Sequence, residues 1–480
     1  MLQIEINSKQ KKLLLTLICI FFVCSVLLMT LFVQKLVYDI VLVKLGHVNG
    51  QFEYWREIML NFSFTFAVLS GFFLLIISKV QKLELKSSTV FALAVFLSFA
   101  LAQPLFMFDR WQTGLADGVY DFGDMFKASA ASINMGEDIC PPSSMLIYQI
   151  MRNTFPGIAQ DGLGDYQTMT SSLKAGYYIQ LYFLFSVAPL LILSYFAISG
   201  TKIQKALFAA AILLSRPIMI GFERGNSIIS ALAFVMLFLL CYKSKDPLIH
   251  EIALLALACA FALKIYTAVF GVLLLKEKNI KSAVRCAVYA VFLFVFPAFC
   301  HRTGFIESFK LYIEALSGYM ANLDFGLDAA QLSLKRIVTL LTLALNIPDA
   351  LNVLYPIFMI LLVAAFAYLV IFSKKEWHIL LALSLATIMI PSLSWPYTAS
   401  FLLIPLISLL NEKQKNKADY ISILLLLWIF MFIYYDISSI TRAIFKLNNW
   451  WIPMCLVLAA ALVDTFLSTK SSLAKIIKKE

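Results

Sequence analysis

Apolar stretches of about twenty residues recur from one end of this chain to the other. No other feature restricts its fold so tightly. A segment crossing a bilayer must satisfy its own backbone N–H and C=O groups, which leaves helices or a closed barrel. A transmembrane barrel would show segments of roughly ten residues with alternating polarity, and none is visible. The chain is 61% apolar and 14% charged, against roughly 25% charged in soluble domains. The expected fold class is all-α: a polytopic helical membrane protein forming a single integral-membrane domain over residues 1–480.

Hydropathy places the spans at 13–33, 60–79, 89–108, 178–198, 206–222, 227–242, 249–263, 265–275, 283–300, 353–372, 377–393, 398–411, 419–436 and 450–467. Several fall short of the length a bilayer needs, so about 11–14 transmembrane helices are expected. Residues 336–346 read as a further, half-inserted apolar segment. Span 13–33 is too long for a removable signal peptide and lacks its small-residue cleavage site, so it reads as a signal anchor. No internal repeat, low-complexity tract or soluble domain stands out.

Charge orients these spans. The net charge is +11, but the Lys and Arg residues lie in short loops and at both ends, as topology signals do. This accounts for the charge without a nucleic-acid partner. Lys9, Lys11 and Lys12 open the chain, and Lys470, Lys475, Lys478 and Lys479 close it. Both termini are therefore expected in the cytoplasm, which requires an even number of spans. With fourteen spans, Lys79–Lys86, Lys202–Lys205, Lys243–Lys245, Lys276–Arg285, Lys374–Lys375 and Lys413–Lys417 all fall on that side. The non-cytoplasmic face then carries the long loops 34–59, 109–177 and 301–335, with Met145–Met151 as a short interfacial helix. Most of the eight Cys lie in apolar spans, with no CxxC and no Cys/His pair at metal-ligand spacing. They read as small buried hydrophobes.

Against that background the polar residues of the outer face stand out. Between Asp109 and Asp138 six acids (Asp109, Asp117, Asp121, Asp124, Glu137, Asp138) face two bases, Arg110 and Lys127. Carboxylates at a membrane interface suit proton abstraction, cation binding or substrate capture, although a solvated acidic loop has the same composition. Glu223-Arg224-Gly225-Asn226 lies between the fifth and sixth spans, and Lys264 ends the seventh in Leu263-Lys264-Ile265-Tyr266. A charge within an apolar helix costs about 2.5–3.5 kcal/mol on insertion scales. Lys264 either snorkels to the interface or serves a site; Arg216, before Pro217, is a similar case. A carboxylate pair beside such cations suits transfer from a phosphorylated donor to a hydroxyl. The carboxylate takes the acceptor proton and the cations stabilise the leaving phosphate.

Asp121-Phe122-Gly123-Asp124, then Pro141-Pro142, then Glu223-Arg224-Gly225-Asn226, then a short helix ending in Lys264 resemble the GT-C class of integral-membrane glycosyltransferases. Within it the chain most resembles the polyprenol-phosphate-mannose-dependent α-mannosyltransferase branch, over roughly residues 105–300 and only weakly beyond. The departures are Cys140 for a Tyr before Pro141, Thr267 for a Pro after Lys264, and Ser394-Trp395-Pro396-Tyr397 where a His often stands. The resemblance implies Asp121 as catalytic base with Asp124 second. It places Arg224 and Lys264 on a lipid-linked phosphate, with Asn226 positioning sugar or phosphate and Glu223 and Tyr266 beside them.

The implied reaction moves a hexose, mannose by analogy, from polyprenyl phosphate to a hydroxyl of a glycan or glycolipid acceptor, with inversion. No cofactor is implied; a divalent metal near Asp121 and Asp124 is unnecessary where Arg224 and Lys264 neutralise phosphate. Trp395 and Tyr397 either stack on a sugar ring or join an interfacial aromatic belt, the commoner role. Trp450-Trp451 read as belt. His47, His250, His301 and His378 are scattered and read as core or surface. A competing reading is a transporter or flippase of a lipid-linked or anionic substrate. Such proteins show matched broken helices and midplane charges, and no such match is apparent here. A bacterial inner membrane is the expected location.

Overall fold

The computed structural model describes residues 2–5, 82–99, 125, 141–153, 173–300, 304–322, 331–431 and 450–477. Spans 13–33 and 60–79, loop 34–59, and most of loop 109–177, with Asp121 and Asp124, lie outside the described residues.

The chain is an all-α polytopic membrane protein. One small departure is a ribbon in which Leu2–Glu5 (β1) pairs antiparallel with Lys82–Leu85 (β2). It sets the start of the chain beside the Lys79–Lys86 loop. The helices follow in order: α1 Ser87–Phe99, α2 Pro142–Asn153, α3 Leu173–Tyr182, a π-helical turn Phe183–Val187, and α4 Ala188–Ala197. Next come α5 Lys202–Leu213, α6 Arg216–Glu223, α7 Ile228–Cys241 and α8 Pro247–Leu263. A 3-10 segment, Ile265–Gly271, leads into α9 Val272–Lys276, then α10 Ile280–Phe299, α11 Phe305–Asn322 and α12 Leu334–Ala344. Finally α13 Leu351–Phe372, preceded by a short 3-10 turn at Pro348–Ala350, and α14 Glu376–Met389 lead to the second of two seven-residue 3-10 segments, Pro396–Leu402, and to α15 Leu403–Asn411, α16 Lys417–Phe430 and α17 Ile452–Ile477.

Among the described residues four helices are long and apolar enough to cross a membrane: Tyr177–Ala197, Ile280–Phe299, Pro348–Phe372 and Ile452–Lys470. A fifth arises if α5 and α6, bent by 54°, count as one span. The expected span 206–222 is thus broken. Ser215 is extended, and Pro217, which lacks an N–H, sits where a first helical turn tolerates it. The long-loop expectation for 301–335 also changes, because an 18-residue helix, α11, forms there. Its Ser308 and Tyr312 point inward while Ile306 and Ile313 are exposed. The interfacial helix expected at Met145–Met151 is present as α2.

Local chemistry sets several helix starts. Thr201 and Gln204 form a reciprocal capping box on α5, and Asn416 with Asp419 does the same on α16. Asp246 caps α8. The core runs through α14, where every residue from Trp377 to Met389 is buried. Around it, α8 packs between α7 and α10, and α13, α15 and α17 pack on α14.

The basic loops gather at one end of this bundle. Lys243 pairs with Glu277 at 3.3 Å and Glu376 at 3.7 Å. Lys276 Nζ donates to the Val370 carbonyl. Asn411 bonds both Ala197 O and Ser199 N at 2.8 Å, and Lys375 bridges Asp419 and Asp464. Loops expected on one membrane face from charge alone are therefore neighbours in space. The opposite end holds the Arg-Gly-Asn turn, Lys264 and the Ser394–Tyr397 segment.

Candidate functional site

The site at the end opposite the basic loops starts with a helix stop. At the end of α6 the N–H of Gly225 bonds Phe222 O at 2.9 Å and that of Asn226 bonds Gly221 O at 3.1 Å, a Schellman motif. It requires a left-handed residue, and Gly225 has φ 63°. Asn226 Oδ1 then accepts from Ile228 N at 2.9 Å, opening α7. The Tyr182 hydroxyl donates to Asn226 O at 2.8 Å and lies 3.3 Å from Gly221 O. Gly221 lets α6 approach α7 closely, since a Cβ there would meet Ile229 Cδ1 at 2.8 Å. Asn226, expected to position substrate, is buried and its side-chain oxygen builds the turn.

This turn presents Arg224. Its guanidinium lies 5.5 Å from the Trp395 ring centroid and 5.6 Å from that of Tyr397, a cation–π arrangement on two faces. Both aromatics therefore lie against Arg224, and Tyr397 is buried. Glu223, the last residue of α6, is half-buried beside Arg224. The second 3-10 segment, which carries Tyr397, packs on α6, α7 and α14.

Lys264 ends α8 in extended conformation, half-buried. Its carbonyl accepts from Thr267 N at 3.0 Å and Thr267 Oγ1 at 2.9 Å. Thr267, standing where the resembling enzymes carry Pro, thus fixes the chain break through a hydroxyl and an N–H that Pro lacks. Tyr266 packs edge-on against Phe401 of the second 3-10 segment, centroids 6.4 Å apart. One element therefore gathers the expected residues: Trp395 and Tyr397 meet Arg224, and Phe401, one turn on, meets Tyr266.

Some participants were not legible from the sequence. Ser394 N donates to Gln331 Oε1 at 2.9 Å, and Leu332 N to Ser394 O, so the 301–335 region is tied to the residue before Trp395. Arg336, buried in the first turn of α12, follows that tie; in the sequence it opens a plain apolar segment. Arg216 lies 4.7 Å over the ring of Trp450. Trp450 and Trp451 are buried, which corrects their reading as belt.

At the basic end, His378, Asp419 and Asp464 bring ligand-type atoms within 4.8 Å of one another. Lys375 Nζ already stands 2.8 Å from both Asp419 oxygens and 2.9 Å from Asp464 Oδ2. An ammonium thus neutralises these carboxylates. His250 bonds Tyr242 O and Ser282 Oγ, each at 2.8 Å, a structural role as expected.

The arrangement defines a class: a helical membrane protein whose end opposite the basic loops carries an arginine held on two aromatic rings, with a lysine at a nearby helix break. Residues 170–396 match glycosyltransferase family 87. Over that stretch, a little under half the chain, the protein is similar to those enzymes, which supports glycosyl transfer as its activity and implies a sugar donor and an acceptor. The match includes Glu223 to Asn226, Lys264, Tyr266 and Trp395, and it runs further toward the C-terminus than the resemblance over 105–300 suggested. Neither the curated proteins nor the solved structures give a significant match.

Proposed function

We propose that the protein is an integral-membrane hexosyltransferase. It moves a hexose, mannose in the closest reading of the motifs, from a polyprenyl-phosphate donor to a hydroxyl of a glycan or glycolipid at the non-cytoplasmic face. The observation carrying this reading is Arg224, held over Trp395 and Tyr397 at the end opposite the basic loops, within the stretch similar to family 87. An arginine beside aromatic rings offers the planar, bidentate donor geometry that suits phosphate.

In this mechanism Asp121, with Asp124 second, takes the proton of the acceptor hydroxyl. The acceptor oxygen bonds to the anomeric carbon as the bond from that carbon to the phosphate oxygen breaks. The electron pair leaves with polyprenyl phosphate, whose charge Arg224 and Lys264 stabilise. Displacement in one step inverts the anomeric centre. These residues need no metal to neutralise the phosphate. With the basic loops cytoplasmic, both termini are cytoplasmic and the membrane is a bacterial inner membrane.

One observation favours the transporter reading: two matched broken helices, the first at Lys264 and the second at Trp395, as transporters display. Replacing Asp121 and Asp124 together by Asn separates the two. The transferase reading expects loss of sugar transfer with retained polyprenyl-phosphate binding, and normal transfer by that variant would sink it.

A further inference from the structure

The two seven-residue 3-10 segments resemble one another. Ile265–Gly271 reads IYTAVFG and Pro396–Leu402 reads PYTASFL. Tyr, Thr, Ala and Phe recur in register: Tyr266, Thr267, Ala268 and Phe270 against Tyr397, Thr398, Ala399 and Phe401. The hydrogen bonds recur as well. Thr398 N and Oγ1 donate to Trp395 O at 2.8 and 2.7 Å, as Thr267 does to Lys264 O. Both threonines are buried. The equivalent phenylalanines, Phe270 and Phe401, stack on each other with centroids 6.2 Å apart and planes 27° apart. Lys243 stands as far ahead of Lys264 as Lys374 does ahead of Trp395, and the two loops meet where Lys243 pairs with Glu376. Each unit is thus a helix rising from the basic end, a break at the opposite end, and a 3-10 return. Sequence reading missed this repeat because only a short segment keeps its identity between apolar helices of common composition.

The copies differ where a ligand would be touched. The residue before each 3-10 segment is extended and held by its threonine. It is Lys264 in the first copy and Trp395 in the second. One offers a point charge and the other an aromatic plane, and both are half-buried. The contact between Phe270 and Phe401 keeps the two breaks adjacent.

We propose that this duplicated break has divided one binding task in two: Lys264 holds a phosphate and Trp395 stacks on a pyranose ring, with Thr267 and Thr398 as the matching positioning residues. This rests on the transferase reading for its ligand classes. Arg224, lying against Trp395, joins the two halves. The pyranose belongs either to the donor or to the acceptor.

The test is ligand binding to full-length protein in nanodiscs, with matched substitutions in each copy. The probes are a short-chain polyprenyl phosphate, the same lipid phosphate bearing a hexose, and methyl hexopyranosides. Lys264→Gln and Thr267→Val should weaken polyprenyl phosphate, the former by at least about tenfold, and leave methyl hexosides within about twofold of wild type. Trp395→Leu and Thr398→Val should do the reverse, the former weakening a hexose-bearing ligand about fivefold, with Trp395→Phe restoring most of it. If Trp395→Leu affects the sugar-bearing lipid phosphate only, the ring is the donor's; if methyl hexosides, the acceptor's. The division is overturned if Lys264→Gln weakens methyl hexosides or Trp395→Leu weakens the sugar-free polyprenyl phosphate, if Trp395→Phe behaves as Trp395→Leu, or if wild type binds neither class. A clean division without sugar transfer by wild type would instead refute the transferase reading while the binding assignment stands.

Discussion

Replacing Asp419 by Asn should loosen the basic end of the bundle. Asp419 is fully buried. Its oxygens accept from Lys375 Nζ at 2.8 Å, Trp377 Nε1 at 3.2 Å and Asn416 N at 2.8 Å. Through Lys375 it joins α16 to the start of α14, and Asp464 brings in α17 at 2.9 Å. Asparagine keeps the size and part of the acceptor set, so the loss is chiefly charge. Removing one member of a buried pair costs about 3–5 kcal/mol. Lys375 is 27% exposed and keeps Asp464, which sets the expectation near the lower limit, about 3 kcal/mol. Thermal unfolding in detergent, followed by intrinsic fluorescence, should show an apparent melting temperature lowered by on the order of 5 °C. The paired change Lys375→Met with Asp419→Leu should recover most of it, because well-packed apolar groups replace buried ion pairs at little cost. An Asp419→Asn protein that melts with wild type, or a double variant as unstable as the single one, would refute the reasoning.

Other outcomes follow from the same geometry. Burial alone would lower the Lys375 pKa, but its bonds to Asp419 and Asp464 outweigh that and hold it above the ordinary lysine value. Its stabilisation should therefore be full below the ordinary lysine value, fade as pH rises from there, and be lost once pH passes the elevated value, as a melting series at alkaline pH would show. Gly225→Ala forces a side chain into left-handed backbone, costing roughly 1–2 kcal/mol, and should lower kcat/KM for transfer more than Ala substitution on a lipid-facing helix. Phe401→Ala removes the contacts with Tyr266 and Phe270 and should destabilise by about 3–5 kcal/mol, measured by denaturation. Arg224→Lys keeps the charge but loses the guanidinium's cation–π contacts with Trp395 and Tyr397; at roughly 1–2 kcal/mol, transfer should fall about tenfold, and further in Arg224→Ala.

The sequence made the large-scale order legible because bilayer physics leaves a strong trace. Apolar runs gave most helices, and basic loops proved to be neighbours, as the Lys243–Glu376 and Lys375–Asp419 pairs demonstrate. The break at Lys264 was legible too, since a lone charge between apolar runs separates 249–263 from 265–275. The bend at Ser215 was not, because hydropathy runs on through Pro217 and only backbone geometry ends α5 there. Helix α11 was hidden by its own amphipathicity: Glu307, Lys310 and Glu314 lower its hydropathy to that of a loop. The site was half legible. Residue chemistry singled out Arg224, Lys264, Trp395 and Tyr397, but pairing Arg224 with two rings far along the chain is a tertiary fact. Ser394–Gln331 and Tyr182–Asn226 are of the same kind, made by residues whose types carry no signal alone.

The central claim is transfer from a lipid-linked phosphate sugar. Its most direct test incubates purified protein in liposomes with hexose-labelled polyprenyl phosphate, or with a labelled nucleotide hexose, and an extract of membrane lipids and glycans. The account predicts that label leaves the polyprenyl lipid for a new product while polyprenyl phosphate appears in equal amount, and that the nucleotide hexose alone gives none. Label that stays on the polyprenyl lipid, or merely changes leaflet, would contradict it, as would direct transfer from the nucleotide sugar.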